Sequence, residues 1–214
     1  MSYLLLWLVF IVGGVVEFAT VPKAQGQASS HHIPAGGQAL ACKYPDEQSD
    51  CKMFIAGFTD MMNLMLVDGE SSKMLCGNLD TPDLIAEFDE EARKTPQADT
   101  DEVLFRLLKT NHLCERKPAQ FYRPTTAGEL NDLCHSGDVG FQLCSEYQGG
   151  FLEFIFFTSE QTKVQVLCGD MRIVSNATVM LSNALDADYK LRQKPAVSLM
   201  LGALQQRLPC PKSP

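Results

Sequence analysis

Eight cysteines fall into two successive quartets of nearly equal internal spacing, which restricts the chain to folds that can be built twice and stapled twice. Cys42, Cys51, Cys76 and Cys114 are 9, 25 and 38 positions apart; Cys134, Cys144, Cys168 and Cys210 are 10, 24 and 42 apart. The residues around them repeat as well. Gly57-Phe58 follows Cys51 at the distance at which Gly150-Phe151 follows Cys144, and an acid comes two positions later in each copy, Asp60 and Glu153. Met74-Leu75-Cys76-Gly77 recurs as Val166-Leu167-Cys168-Gly169. A period this long is no solenoid and implies two copies of one small domain.

The N-terminus bears on what those cysteines are. Tyr3 to Ala19 is almost wholly apolar, broken by Glu17, and small-residue exits follow at Ala24-Gln25-Gly26 and Gly26-Gln27-Ala28. This is the pattern of a secretory signal, assigned to residues 1–26, although no Lys or Arg precedes the apolar core and an uncleaved anchor is the competing reading. Export to an oxidising compartment makes an even set of eight cysteines a disulfide framework. Structural zinc sites usually hold cysteines two to four positions apart, whereas no two here are closer than nine. No metal site or cofactor is expected. Units of roughly 80 residues gain only a few kcal/mol from one core, so two disulfides each, at about 2 to 5 kcal/mol apiece, would carry much of the stability.

Helical periodicity runs through both copies. Phe54, Phe58, Met61, Met62 and Met65 share one face of a helix from about Asp46 to Val67, and Tyr147, Phe151, Phe154 and Ile155 take the equivalent positions in the second copy. The methionines in that set are read as core filling. Further helices are expected from Thr81-Pro82-Asp83, from Asp99 or Thr100, from Ser175 and from Lys194-Pro195. The expected fold is all-α: two tandem disulfide-stapled bundles of about three to four helices. A flexible lead at 27–38 precedes the first domain, 39–116, and a linker at 117–126 precedes the second, 127–211. Each copy, having its own cysteines and helices, is expected to fold alone. Reversal of chain direction between helices places Cys76 and Cys114 at one end of the bundle, pairing Cys42 with Cys51 and Cys76 with Cys114. By repetition Cys134 pairs with Cys144 and Cys168 with Cys210. Gly57 and Gly150 lie inside helices at a cost of about 1 kcal/mol each, which close approach of a neighbouring helix would explain.

The run Gly128-Glu129-Leu130-Asn131-Asp132-Leu133-Cys134, then Cys144 with Tyr147 and Gly150, Leu167-Cys168 and Leu208-Pro209-Cys210 resembles the Rap/Tai-type immunity proteins, small exported helical domains of Gram-negative bacteria. The resemblance spans residues 127–211. The first copy matches it at Cys51, Gly57, Asp60, Cys76 and Cys114, but lacks a Leu-Cys lead-in at Cys42 and a proline before Cys114. The resemblance implies a periplasmic, non-catalytic protein that neutralises a type VI-delivered cell-wall amidase by occluding its active site, often as a homodimer. It implies scaffold roles for the cysteines and for Gly57, Gly77, Gly150 and Gly169, and carries over no contact residue.

A search for catalytic motifs agrees with a non-enzyme. No Gly-rich phosphate loop, Gly-x-Ser-x-Gly elbow or His-Glu-x-x-His helix occurs, and the four histidines are His31, His32, His112 and His135. Charge points toward a partner. Between Asp80 and Glu102 nine acids face only Arg93 and Lys94, a net of −7 in a chain of net −8. Nucleic acid and anionic membranes are poor partners for such a surface, and a basic protein is the better one. Glu87, Glu90 and Glu91, three to four positions apart, are the candidate contact residues, with a solvated helix face as the plain alternative. The competing function is a structural or chaperone-like periplasmic stress protein, for which pH-dependent loosening would speak.

Overall fold

The structure, a computed structural model, describes residues 35, 42, 48–68, 73–76, 79, 82–115 and 122–211. The signal segment, Gly77, Asp80, Thr81, the His31-His32 pair and most of the lead and linker lie outside the described residues. In chain order the elements are α1 (Gln48–Asp68), β1 (Lys73–Leu75), α2 (Pro82–Lys94), α3 (Thr100–Asn111) and β2 (Leu113–Glu115). The second copy follows as α4 (Ala127–Cys134), α5 (Asp138–Thr162), α6 (Ala177–Ala187) and α7 (Ala196–Arg207). Short 3-10 turns at Met171–Asn176 and Tyr189–Gln193 lead into α6 and α7. The all-α class is as expected, with one small addition: β1 and β2 form an antiparallel ribbon that pairs Met74 with Cys114.

Four disulfides join Cys42 to Cys51, Cys76 to Cys114, Cys134 to Cys144 and Cys168 to Cys210, with Cα atoms 4.8 to 6.0 Å apart. Each stays within its quartet. The repeat extends to backbone hydrogen bonds. Ala35 N–H donates to the Ala98 carbonyl at 2.8 Å, and Ala127 N–H donates to the Lys194 carbonyl at the same distance. Cys76 N–H reaches the His112 carbonyl at 3.1 Å, and Cys168 N–H reaches that of Leu208 at 3.0 Å. In the first copy this last bond is extended into the β1–β2 ribbon.

The long helices of the two copies, α1 and α5, cross at their glycines. A Cβ on Gly57 would overlap the Tyr147 carbonyl oxygen and lie 3.0 Å from the Phe151 nitrogen; one on Gly150 would overlap the Phe54 carbonyl oxygen and lie 2.9 Å from the Phe58 nitrogen. Tyr147 is the repeat equivalent of Phe54, so the contact is reciprocal, like an isologous interface built within one chain. Around the crossing, the Phe58 and Phe154 rings meet edge to face at 5.1 Å, and Phe105 of α3 reaches Phe157 at 5.0 Å. Met61 and Met62 are buried in the same interior. A single core cluster takes in Phe54, Phe58, Leu104 and Leu108 from one copy and Tyr147, Phe151, Leu181 and Leu204 from the other. The expected autonomy of residues 127–214 therefore does not follow from the packing: without α1, α5 would expose its most apolar face.

Candidate functional site

The linker between the copies is tied to both of them through Asp60. This α1 carboxylate is fully buried and takes three donors: the Tyr122 hydroxyl on Oδ1 at 2.6 Å, and the Tyr147 hydroxyl at 2.6 Å with the Thr125 N–H at 3.0 Å on Oδ2. Tyr122 also gives its N–H to the Leu75 carbonyl at 3.4 Å. Burial pushes the Asp60 carboxyl up to about 6, the donors opposing the shift without cancelling it. Burial likewise holds the Tyr147 hydroxyl well above its usual range, with the Asp60 charge adding to the effect. Asp60 is thus a structural keystone, closed to solvent, with its acceptor sites filled by the fold itself.

After the keystone, Thr126 opens α4 with a capping box. Its side chain accepts from Glu129 N–H at 3.2 Å, while the Glu129 carboxylate accepts from Thr126 N–H at 2.9 Å. That bond, more than the Arg123 cation nearby, lowers the Glu129 carboxyl from its ordinary value. The second copy thus opens as a helix at Ala127, directly after the expected linker.

The candidate contact residues lie on the outer side of α2, whose Leu84, Ile85 and Phe88 face the core. Their charges are largely answered within the fold. Glu87 meets the His112 ring at 3.0 Å and the Asn111 amide at 3.3 Å. Lys94 bonds to Glu91 at 2.7 Å and Glu90 at 3.1 Å, and Asp89 pairs with Arg93. The bond from Lys94 holds the Glu91 carboxyl below its usual range. Among the described residues no group of three or more His, Cys, Asp or Glu is placed to hold a metal ion. His135 caps its helix, its ring 2.7 Å from the Asn131 carbonyl.

Exposed apolar side chains are the feature that periodicity alone could not single out. Val139 and Phe141, on the first turn of α5, are 73% and 64% exposed, and Val179 and Tyr189 stand out on the α6 side. No family model matches this chain, and it matches no curated protein and no solved structure.

Proposed function

We propose that this chain is an exported, non-catalytic binding protein of the Gram-negative periplasm, which neutralises a cell-wall amidase effector by covering its active-site cleft. The observation that carries the reading is how the interior spends its chemical groups. Asp60 is closed by Tyr122, Tyr147 and Thr125, His112 is engaged by Glu87, and His135 by a helix carbonyl. What the chain brings outward is a disulfide-braced scaffold with exposed apolar side chains and a net charge of −8, which favours a protein partner with basic character. The order and context of Cys134, Cys144, Cys168 and Cys210, which resemble the Rap/Tai-type scaffold, supply the class of partner. Four disulfides support an oxidising compartment, and no described helix is long and apolar enough to cross a membrane.

The chaperone-like alternative calls for loosening in acid, and Asp60 works the other way. Its proton is held more tightly in the folded chain than in the unfolded one. The stability it contributes is therefore fully present below the ordinary value of 3.8 and is lost as pH rises through about 6. Acidification tightens this keystone.

The test is a peptidoglycan-hydrolysis assay with purified amidase effectors and the oxidised full chain. Inhibition of one of them that saturates at a fixed stoichiometry supports the reading. Undiminished hydrolysis by every effector at excess chain overturns it.

A further inference from the structure

Asn176 stands in a cap position and does no capping. It ends the 3-10 turn Met171–Asn176 and is the N-cap of α6, with φ −97° and ψ 11°, yet its side chain makes no hydrogen bond to the helix. Asparagine is a preferred N-cap because its side-chain oxygen satisfies a free N–H of the first turn. At α4 the same place is used in the ordinary way, with Thr126 and Glu129 closing a full capping box. At α6 the position corresponding to Glu129 holds Val179, which cannot reciprocate and is 56% exposed. The inner side of this turn is fixed on the core: Val174, Ala177 and Leu181 are buried, and the Gln148 amide of α5 donates to the Val174 carbonyl at 3.1 Å. Asn176 and Val179 are left on the outside.

Other asparagines are committed by the fold. Asn63 is buried, Asn111 donates to Glu87 at 3.3 Å and Asn131 accepts from the Ser182 hydroxyl at 2.6 Å. Sequence sets Asn176 apart as well: Asn176-Ala177-Thr178 is the one Asn-x-Ser/Thr triplet in the chain, the pattern in which an asparagine amide of an exported protein accepts an oligosaccharide. The triplet by itself is a weak signal. Here it coincides with an exposed amide that the fold leaves unused and with bare apolar surface on the first turn beside it. We propose that Asn176 carries an N-linked oligosaccharide whose first sugar ring lies over Val179. The donor is an oligosaccharide held on a lipid diphosphate. Its anomeric C1–O bond to the diphosphate breaks, a C1–Nδ2 bond to Asn176 forms, the amide nitrogen gives up one of its two protons to the transferase, and the lipid diphosphate leaves. Because Ala177 is fully buried, the triplet cannot enter an enzyme cleft in the folded chain. Transfer therefore precedes formation of α6 and closure of the Cys168–Cys210 loop that contains Asn176. The inference needs only the export part of the functional reading, and nothing in it depends on the amidase.

The experiment takes the full oxidised chain from the exported fraction of the cells that make it, beside Asn176→Gln, Thr178→Ala and Thr178→Ser variants made in the same cells. Circular dichroism checks that each keeps its helices. Intact mass is read before and after digestion, in heavy-oxygen water, with the enzyme that releases N-linked sugars and leaves aspartate behind. A mass excess that digestion removes, with heavy oxygen placed at residue 176, supports the inference. Loss of that excess in Asn176→Gln and Thr178→Ala, with retention in Thr178→Ser, supports it further, because serine keeps the hydroxyl that the triplet requires. An exported chain with Asn176 unmodified overturns the inference and leaves the export reading standing. A mass excess that survives in Asn176→Gln also overturns it, since the modification then lies elsewhere. A chain found unmodified and only inside the cell overturns both.

Discussion

Asp60 shows how much one side chain can be asked to hold. It joins α1 to α5 through Tyr147 and to the inter-copy segment through Tyr122 and Thr125, partners 87, 62 and 65 positions away. Because burial raises its folded value from 3.8 to about 6, the folded state binds a proton in that window that the unfolded state releases. Asp60 therefore makes stability fall between about pH 4 and 6, by up to about 2 to 3 kcal/mol. Urea denaturation of Asp60→Asn across that range should show the slope flattened, whereas Asp60→Ala should cost about 2 to 4 kcal/mol at neutral pH by removing the buried acceptor of two tyrosine hydroxyls and a backbone N–H. An unchanged slope in Asp60→Asn would assign the pH dependence to other carboxylates. From sequence Asp60 is visible as the counterpart of Glu153 and as a match to the family pattern, but not as a buried hub. The tyrosines that make it a keystone are too distant in the chain for any local pattern to connect them.

Among the elements, the crossing of α1 and α5 depends on two missing methyl groups. Alanine is a better helix former than glycine by about 1 kcal/mol, so Gly57→Ala or Gly150→Ala would stabilise an isolated helix. Here each is expected to destabilise the protein by about 1 to 3 kcal/mol net, since the added Cβ meets backbone that cannot swing aside. The double variant should cost less than the two singles together, because helices forced apart by one methyl already make room for the other. Stabilities from urea titrations check both statements, and a stabilising Gly57→Ala would contradict the crossing. That these glycines face a close neighbour is legible from their place inside helical runs. The β1–β2 ribbon is not, since strands of three residues, Lys73–Leu75 and Leu113–Glu115, are too short to show a two-residue period. The Thr126-x-x-Glu129 capping signature is present in the sequence, but prolines before it favour a connector and mask the start of α4.

For the whole molecule, cysteine spacing carries the repeat, the helix directions and the bridge pattern, because a disulfide constrains chain reversal and chain reversal is a local matter. What spacing does not carry is how one copy meets the other. Each copy has the helices and bridges of a small domain, yet Phe54 and Phe58 are buried in the same cluster as Tyr147, Phe151 and Phe154. Helices α1 and α5 thus share one interior, to which Asp60 ties Tyr122 and Thr125. The most direct test is hydrogen exchange read by mass spectrometry on the oxidised full chain through a urea series. One shared core requires peptides from α1 and α5 to lose protection at the same urea concentration. Protection that persists in α5 where α1 has already exchanged would show two independent domains and contradict the account.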